Sequence, residues 1–414
     1  MAANLGPVLR IPDFRRLVAV TSVSQFGDRL THMLLITLIA VDRPGRLFGY
    51  AEGALVFALP TLLLCPVAGV LVDRWDRRRV LAFTHFAQSG LLFATPVAIW
   101  LSGSFTPFWI ALFLFFGLDL FNNTAAPALL PVLVGEQRVL AANSANLALA
   151  RVATILGMLL GGFLVQWVGW NIGLLINAVT HLTAGFVALS IATRAATSPG
   201  TNPLKRTLVA FASDLAEVLR LVMSNRLIAF VLASIVISTL ISAVSYTVLI
   251  FLVQQVLGFG TAGVGVLAGV LAVGMVAGAL SLGFVPDKID RPMVIVGAVT
   301  LYGLLFIVGW FHISVPFLVA TALLAGLSFS WLGVVQATML QEQAAPDIRA
   351  RVFSVREFIT NATFIASALL VGLFGDLTSY RHALAAIGII LVLLAAGGLL
   401  LLRGMPRHHP PGSS

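Results

Sequence analysis

Twelve apolar stretches, most of them about twenty or more residues long, constrain the fold of this chain more than any other feature. The hydrocarbon core of a bilayer is about 30 Å thick, and a helix needs roughly 20 apolar residues to cross it. Short polar breaks separate the stretches, so each one is predicted to be a membrane-spanning helix. The predicted spans are residues 17–41, 50–72, 80–101, 106–130, 142–167, 172–193, 227–253, 262–285, 293–312, 316–339, 352–374 and 382–402.

Composition excludes a soluble globule. Of 414 residues, 59% are hydrophobic and 10% are charged, whereas about a quarter of a soluble domain is charged. The first stretch is too long for the core of a signal peptide and lacks a small-residue cleavage site, so it is predicted to be retained. The single cysteine, Cys65, lies in the second span, so neither a disulfide framework nor a cysteine metal site is expected.

The positions of the basic residues predict the orientation. If both termini are cytoplasmic, the loops on that side hold every Lys and Arg except Arg43, Arg46 and Arg381 outside, and Arg29 and Arg151 within spans. Cytoplasmic loops collect basic residues, and one helix more or fewer would scramble this alternation. The net charge of +9 is therefore assigned to topology, and no nucleic-acid partner is expected. The excess of Arg over Lys indicates a GC-rich bacterial genome, and with it an inner-membrane location.

The chain divides into two similar halves. Residues 1–193 and 227–414 each hold six predicted spans, and the connecting segment 194–226 has apolar residues at helical spacing, which predicts an amphipathic helix on the membrane surface. The pattern G-x-x-x-D-(R/K)-x-D-R follows the second span at Gly69–Arg77 and the eighth at Gly283–Arg291. Both copies face the cytoplasm, so the repeat is parallel. Such repeats occur in transporters whose substrate site lies at the midplane between the halves.

Four segments carry a resemblance to a known family. They are the stretch Ala68–Leu81 around the first copy of the pattern, Phe14-Arg-Arg, Ser24-Gln-Phe-Gly-Asp28 and Gln341–Val352. Together they resemble the major facilitator superfamily, and within it the branch that holds the enterobactin exporter and the macrolide efflux proteins. The resemblance implies an all-α membrane protein of twelve helices in two parallel six-helix bundles.

The resemblance also implies a role for the repeated loops. In the family these loops form a cytoplasmic latch, in which Asp73 would lie near the positive N-terminal end of helix eleven. The alternative is simple anchoring of the loops by their positive charge. The residues assigned to this gating loop are Gly69, Asp73, Arg74, Arg77, Asp287 and Arg291.

Four charged residues lie nine or more residues from either end of a predicted span: Asp28, Arg29, Asp119 and Arg151. Each costs roughly 2.5–3.5 kcal/mol at the centre of a membrane helix on insertion scales, so each is a candidate functional residue. Asp119 and Arg151 occupy similar depths on consecutive antiparallel helices, which predicts an ion pair. That pair would serve structure, gating or substrate binding, and pairing would reduce the desolvation cost of both charges.

The first span carries a polar face. Thr21, Gln25, Asp28 and His32 follow spacings of four, three and four residues, so they lie on one side of the helix. Asp28 and His32 are therefore predicted to form a proton-coupling pair, since an imidazole changes charge near neutral pH. Gln25 and Arg29 are candidates for substrate contact. The alternative is that Asp28 neutralises a basic neighbour and His32 bonds a backbone carbonyl.

Other polar residues in the spans are assigned more simply. His85 and His181 are isolated in apolar stretches and are expected to be satisfied inside the bundle. The fifth span reads Gly157-Met-Leu-Leu-Gly-Gly162, which lacks the proline of the family's antiporter signature but permits close helix packing. In the second half, neutral groups such as Ser234, Ser238 and Gln336 suit an amphipathic organic substrate, or serve only helix packing.

These features favour a secondary active exporter of a hydrophobic or amphipathic organic compound, such as a drug or siderophore, driven by proton antiport. A lysophospholipid or other lipid transporter is the main alternative, and a nontransporting membrane receptor is a further one. No phosphate-binding loop or catalytic constellation is visible, so neither an enzyme nor ATP as direct energy source is expected. The expected partners are the organic substrate, protons and membrane lipid, with no cofactor or metal, and the protein is expected to be monomeric.

Overall fold

Helices account for nearly all of the residues that the computed structural model describes, which are 5–192, 213, 215–218, 220, 225–282, 290–343 and 349–403. After a short helix at Leu5–Leu9, the long helices are α1 (Pro12–Asp42), α2 (Leu47–Arg74), α3 (Arg77–Ser102), α4 (Thr106–Val134), α5 and α6 (139–168 and 170–190, the two arms of the bent helix Val139–Ser190), α7 (Arg226–Val244, extended by the π-helical turns Ser245–Leu249 and Leu252–Val256), α8 (Gly260–Leu282), α9 (Arg291–Phe311), α10 (Val315–Gln343), α11 (Arg349–Leu377) and α12 (Tyr380–Arg403). A helix satisfies every backbone polar group internally, which lipid requires.

The bent helix crosses the membrane twice. Its 52 residues include one with non-helical geometry, Gly169 at φ 79°, a conformation that glycine adopts without steric cost. Along α1, Gly157 lies against Phe26 and Gly161 against Leu30. On the other arm, Gly173 lies against Leu34 and His181 against Asp28. The two arms therefore run in opposite directions along α1, and the chain reverses at Gly169.

The number of spans agrees with the sequence. Among the described residues, ten helices are long and apolar enough to cross a membrane, and one of them is the bent helix with its two arms. The twelfth is α1, whose polar face lowers its mean hydropathy. The prediction of twelve membrane helices is thus confirmed.

Helix packing repeats between the two halves. Within the halves, α2 packs on α4 as α8 packs on α10, and α3 packs on α6 as α9 packs on α12. Between the halves, α2 packs on α11 and α5 packs on α8. These two interfaces are equivalent when α2 corresponds to α8 and α5 to α11. The packing therefore obeys the same parallel repeat as the sequence.

Hydrogen bonds hold the halves together at one end of the bundle. The backbone nitrogen of Leu47 donates to Oδ1 of Asp376 at 2.7 Å, and that of Ala262 donates to Oε1 of Gln166 at 2.7 Å. These residues lie at the connections α1–α2, α5–α6, α7–α8 and α11–α12. In the predicted orientation, this closed end faces outside.

The outer surface of the bundle is apolar. Trp100 and Trp167 are 81% and 80% exposed and lie near the ends of α3 and α5. Tryptophan is enriched where a membrane protein meets the lipid headgroups. This surface is what a bilayer would cover.

Candidate functional site

The predicted polar face of α1 meets α5 at the centre of the N-terminal half. The hydroxyl of Thr21 donates to Oδ1 of Asn146 at 2.7 Å, and that of Thr154 donates to Oε1 of Gln25 at 3.3 Å. Gln25 in turn donates from Nε2 to Oδ2 of Asp28 at 3.4 Å. Asp28 is 4% exposed, so the α1 carboxylate lies inside the protein.

The glycines of α5 allow this contact. Gly157 packs against the backbone of Phe26 and Cβ of Arg29, so a side chain there would collide with α1. Gly162 lies against Thr261 and Gly265 of α8, in the other half. The prediction that this glycine run serves close packing is confirmed.

Asp119 associates with α1 rather than with α5. Its Oδ2 accepts a hydrogen bond from Nδ2 of Asn123 at 2.9 Å, and its carboxylate interacts electrostatically with Arg29 and Asp28. Arg151 is exposed, and within the described chain no ion pair links it to Asp119. The predicted Asp119–Arg151 pair is therefore wrong. The depths of the two residues were matched, but the guanidinium that acts electrostatically on Asp119 is that of Arg29 on α1, without an ion pair within 4.0 Å in the described chain.

His32 lies in an aromatic environment. Its ring centroid is 5.2 Å from that of Phe57 and 5.0 Å from that of Phe116. Phe57 also contacts Tyr246 at 5.3 Å and Phe364 at 5.5 Å. These five side chains, the aromatic cluster, join α1, α2 and α4 of one half to α7 and α11 of the other.

The imidazole beside Asp28 belongs to His181. The Nε2 atom of His181 lies 3.8 Å from Oδ1 of Asp28, while no hydrogen bond or ion pair in the described residues links Asp28 to His32. The Nδ1 atom of His181 lies 3.3 Å from Nδ1 of His85. The two histidines expected to be isolated thus contact each other. Each histidine lies in an apolar stretch of its own helix, α3 or α6, so no sequence pattern indicated that they contact each other.

The second half contributes neutral groups. Nε2 of Gln336 donates to the hydroxyl of Ser234 at 3.1 Å and approaches that of Ser238 at 3.4 Å. These bonds link α10 to α7. The charged part of the site is therefore concentrated in the first half.

The repeated loop pattern has a repeated structural role. Its second aspartate caps the following helix in both halves: Asp76 accepts from the backbone nitrogen of Arg78 at 3.0 Å, and Asp290 accepts from that of Met293 at 3.3 Å. Such caps satisfy the free N–H groups of a helix start.

The last arginine of the pattern reaches equivalent helices. Arg77 donates to the carbonyl of Ala128 on α4 at 3.4 Å, and Arg291 donates to Glu342 on α10 at 2.5 Å. The other predicted gating residues are only partly described: Gly69, Asp73 and Arg74 lie in the last turns of α2, whereas Asp287 and most of the segment 194–226 lie outside the described residues. The latch thus stays a prediction.

Two repeated six-helix bundles, with charged and polar residues buried in the membrane part, are the architecture of the major facilitator fold. Residues 18–291 and 235–414 match the profile of the Major Facilitator Superfamily. The chain belongs to this superfamily. Its relatives are transporters, so the protein is a transporter and not an enzyme.

Two bacterial relatives illustrate the sequence similarity. The uncharacterized MFS-type transporter Rv0037c of Mycobacterium tuberculosis is 34% identical over 152 residues, which are 36% of this chain and 34% of that protein. The match therefore spans about a third of the mycobacterial relative. The uncharacterized MFS-type transporter YvqJ of Bacillus subtilis is 22% identical over 402 residues, 94% of this chain and 90% of that protein.

Solved structures share the fold over nearly the whole chain. A mutant of the nucleoside transporter NupG has a TM-score of 0.72 at 15% identity and covers 93% of this chain and 99% of that one. A mutant of the peptide transporter POT, in complex with sulfate, has a TM-score of 0.73 at 14% identity and covers 94% of each chain. At these identities the similarity concerns the fold alone.

Proposed function

We propose that this transporter exports a hydrophobic or amphipathic organic compound in exchange for protons, with Asp28 as the carboxylate that carries the coupling proton. The observation that carries the proposal is the burial of Asp28 without a direct ion pair to Lys or Arg: in the described chain, no side-chain nitrogen of either residue type lies within 4.0 Å of its carboxylate oxygens. A carboxylate in the membrane is costly when ionised. Protonation removes that cost. Proton binding at Asp28 is therefore linked to whether the conformation of the transporter buries this side chain.

The substrate class follows from the surroundings of Asp28. The aromatic cluster offers ring faces and edges, and the second half offers hydroxyl and amide groups at Ser238 and Gln336. Aromatic walls with a few polar groups suit organic ligands. Export is proposed from the resemblance to the branch of the enterobactin exporter and macrolide efflux proteins.

Lipid transport is the second candidate. Arg151 lies within the apolar stretch of α5, yet its side chain is exposed. A guanidinium at this depth would attract the phosphate of a lysophospholipid headgroup. This feature keeps lipid transport as the alternative substrate class.

The test measures accumulation of fluorescent lipophilic cations, macrolides, catecholates and lysolipids in an efflux-deficient bacterium. Cells express wild type, Asp28→Asn, Arg151→Gln or, as a matched control on the same helix, Asp42→Asn. Membrane expression is equalised by immunoblotting. We expect the wild type and the Asp42 variant to lower accumulation of an organic compound, and both a proton uncoupler and Asp28→Asn to abolish the effect.

Two results would contradict this proposal. Export that persists in Asp28→Asn would remove Asp28 from proton coupling. A response confined to lysolipids and lost in Arg151→Gln would select lipid transport. Asp42→Asn makes the same chemical change on α1 but retains the buried carboxylates. Loss of export in both variants would therefore indicate damage to α1 rather than loss of proton coupling at Asp28.

We further propose an inner-membrane location with both termini cytoplasmic, a monomeric state, and a division into bundles 1–193 and 227–414 joined by the linker 194–226. The distribution of basic residues supports the orientation. Alkaline phosphatase fused to either terminus should be inactive, because that enzyme is active only outside the cytoplasm. Activity of either fusion would reverse the proposed topology.

A further inference from the structure

Three buried titratable side chains form a line from α1 to α3. Oδ1 of Asp28 and Nε2 of His181 face each other at 3.8 Å, and neither atom has a hydrogen-bond partner. The other nitrogen of His181, Nδ1, lies 3.3 Å from Nδ1 of His85. The two histidine side chains are buried at 0% and 1% exposure. The coupling carboxylate is thus connected to two imidazoles inside the first half.

The contact between the two Nδ1 atoms links the tautomers of the histidines. A neutral imidazole has one N–H donor and one acceptor nitrogen. A hydrogen bond between the two Nδ1 atoms therefore requires that one of them carries a proton and the other does not. If His181 donates, its Nε2 presents a lone pair to Asp28, and attraction requires a protonated carboxyl group. If His85 donates, Nε2–H of His181 faces Asp28, and attraction favours the ionised carboxylate.

The surroundings of His85 accept both states. Oε1 of Gln88 lies 3.2 Å from Nδ1 of His85 and can accept its proton. Nδ2 of Asn122 lies 3.4 Å from the same nitrogen and can donate to it when the proton is absent. Asn122 also donates to Oε1 of Gln88 at 3.0 Å, which holds the two amides in place. The two amides therefore offer an acceptor to Nδ1 of His85 when it is protonated and a donor when it is not.

We propose that His181 and His85 form an internal proton relay that accepts the proton of Asp28. The carboxyl proton of Asp28 passes to Nε2 of His181, while the Nδ1 proton of His181 passes to Nδ1 of His85. The first transfer crosses the 3.8 Å gap between Asp28 and His181, which must shorten to hydrogen-bond distance, and the second follows the 3.3 Å contact between the histidines; no other bond changes. The products are an Asp28 carboxylate, a neutral His181 and a His85 imidazolium that donates to Gln88.

Few other charges act on this relay. Arg29 of α1 and Asp119 of α4 act electrostatically on Asp28, and Phe115 of α4 packs its ring edge-on against His181 at 5.0 Å. On α3 and α6, the titratable groups at the relay are the two histidines themselves. The relay allows Asp28 to change its charge without exchanging its proton directly with water. This inference rests on the proposed function, since it assumes that Asp28 carries the coupling proton.

The test observes the relay without a substrate. Full-length protein with nitrogen-15-labelled histidine is placed in lipid nanodiscs, and the imidazole signals are followed between about pH 5 and pH 8. Signals of the relay are assigned as those lost in His181→Gln and His85→Gln. The infrared carbonyl band of protonated Asp28 is identified by its loss in Asp28→Asn.

We expect Asp28→Asn to change the tautomer signals of both His181 and His85, although His85 does not touch Asp28. We also expect His85→Gln to move the midpoint of the Asp28 band by about one pH unit, a tenfold change in proton concentration. His312→Gln, at an exposed loop position, should change neither. Unaltered His85 signals in Asp28→Asn, together with an unmoved Asp28 band in His85→Gln, would overturn the relay.

The two proposals fail separately. If accumulation of the panel compounds is insensitive to the uncoupler while the tautomer changes occur, proton-driven export fails and the relay stands. If export depends on Asp28 and the proton gradient while the histidine signals ignore Asp28, only the relay fails.

Discussion

The hydroxyl of Tyr50 lies 2.7 Å from Oε1 of Gln254 and joins α2 of the first half to α7 of the second. Nε2 of Gln254 donates to the hydroxyl of Thr261 at 3.0 Å, and that hydroxyl lies 2.6 Å from the hydroxyl of Thr37. Thr37 itself donates to the carbonyl of Met33. A continuous chain of hydrogen bonds therefore crosses between the halves at the closed end of the bundle.

Tyr50→Phe should favour opening of this end. The substitution keeps the ring and removes two hydrogen bonds, the one donated to Gln254 and a longer one accepted from Gln255 at 3.4 Å. A typical bond contributes about 1 kcal/mol, so the equilibrium between closed and open states should change by at least about fivefold. The measurement is the labelling rate of a cysteine placed at Ser238, in a Cys65→Ser background, by a membrane-impermeant maleimide added outside.

Tyr302→Phe provides the matched control for this experiment. Its hydroxyl donates to the carbonyl of Ala325 at 2.7 Å, so the bond lies within the second half. An equal increase in labelling for both variants would show that loss of any buried tyrosine hydroxyl loosens the protein, and that the Tyr50 bond has no special role in closure.

Arg29→Gln should lower the thermal stability of the purified transporter. Arg29 forms no ion pair within 4.0 Å in the described chain but acts electrostatically on both Asp28 and Asp119. Removing the guanidinium takes away this attraction and leaves the repulsion between the carboxylates, which we expect to cost about 1 kcal/mol. Asp119→Asn in the same chain should restore much of the loss, because it removes one of the two like charges. Melting in detergent measures the coupling as a double-mutant cycle.

Arg151→Gln is the comparison for that cycle. Arg151 is an exposed arginine on α5, so its replacement should change the melting temperature little. If Arg151→Gln destabilises the protein more than Arg29→Gln, and Asp119→Asn rescues it, the assignment of Arg29 as the cation of Asp119 is wrong.

Gly326→Ala should destabilise the second half. A Cβ atom there would collide with the backbone of Leu271 and Met275, since α8 and α10 cross closely at this point. Overpacking of this kind costs about 1–3 kcal/mol. Gly333→Ala on the same helix meets nothing within 4 Å and should leave the melting temperature unchanged or slightly raised, because alanine is the better helix former. Equal effects at both positions would argue against the close crossing.

Phe57→Ala should weaken the junction between the halves. Phe57 contacts four other rings, two of them in the second half, and each aromatic pair contributes about 0.5–1.5 kcal/mol. We expect a lower melting temperature and faster labelling of the cysteine at position 238 by the maleimide added outside. Phe329→Ala, which truncates an exposed ring on α10, should change neither. Normal labelling of the Phe57 variant would show that the aromatic cluster does not contribute to closure of the external end.

Much of the architecture could be predicted from the sequence. Lipid permits only elements that satisfy their own backbone, so runs of sufficient apolar length specify membrane helices whatever their partners. The repeat at Gly69–Arg77 and Gly283–Arg291 predicted two parallel halves, and the packing of α2 on α11 and α5 on α8 follows that symmetry. Spacing within α1 also predicted correctly that Gln25 and Asp28 share a face.

The partners of those side chains were decided by the tertiary structure. Spacing along one helix fixes which residues share a face, but it carries no information on which distant helix that face meets or how that helix is rotated. For this reason Asp28 is beside His181 rather than His32, and Asp119 interacts with Arg29 rather than Arg151. The sequence by itself determined the helices, their number and their repeat, because these depend on local composition. The surroundings of the buried carboxylates and the histidine contact depend on the packing of helices far apart in the chain, and only the folded bundle specifies them.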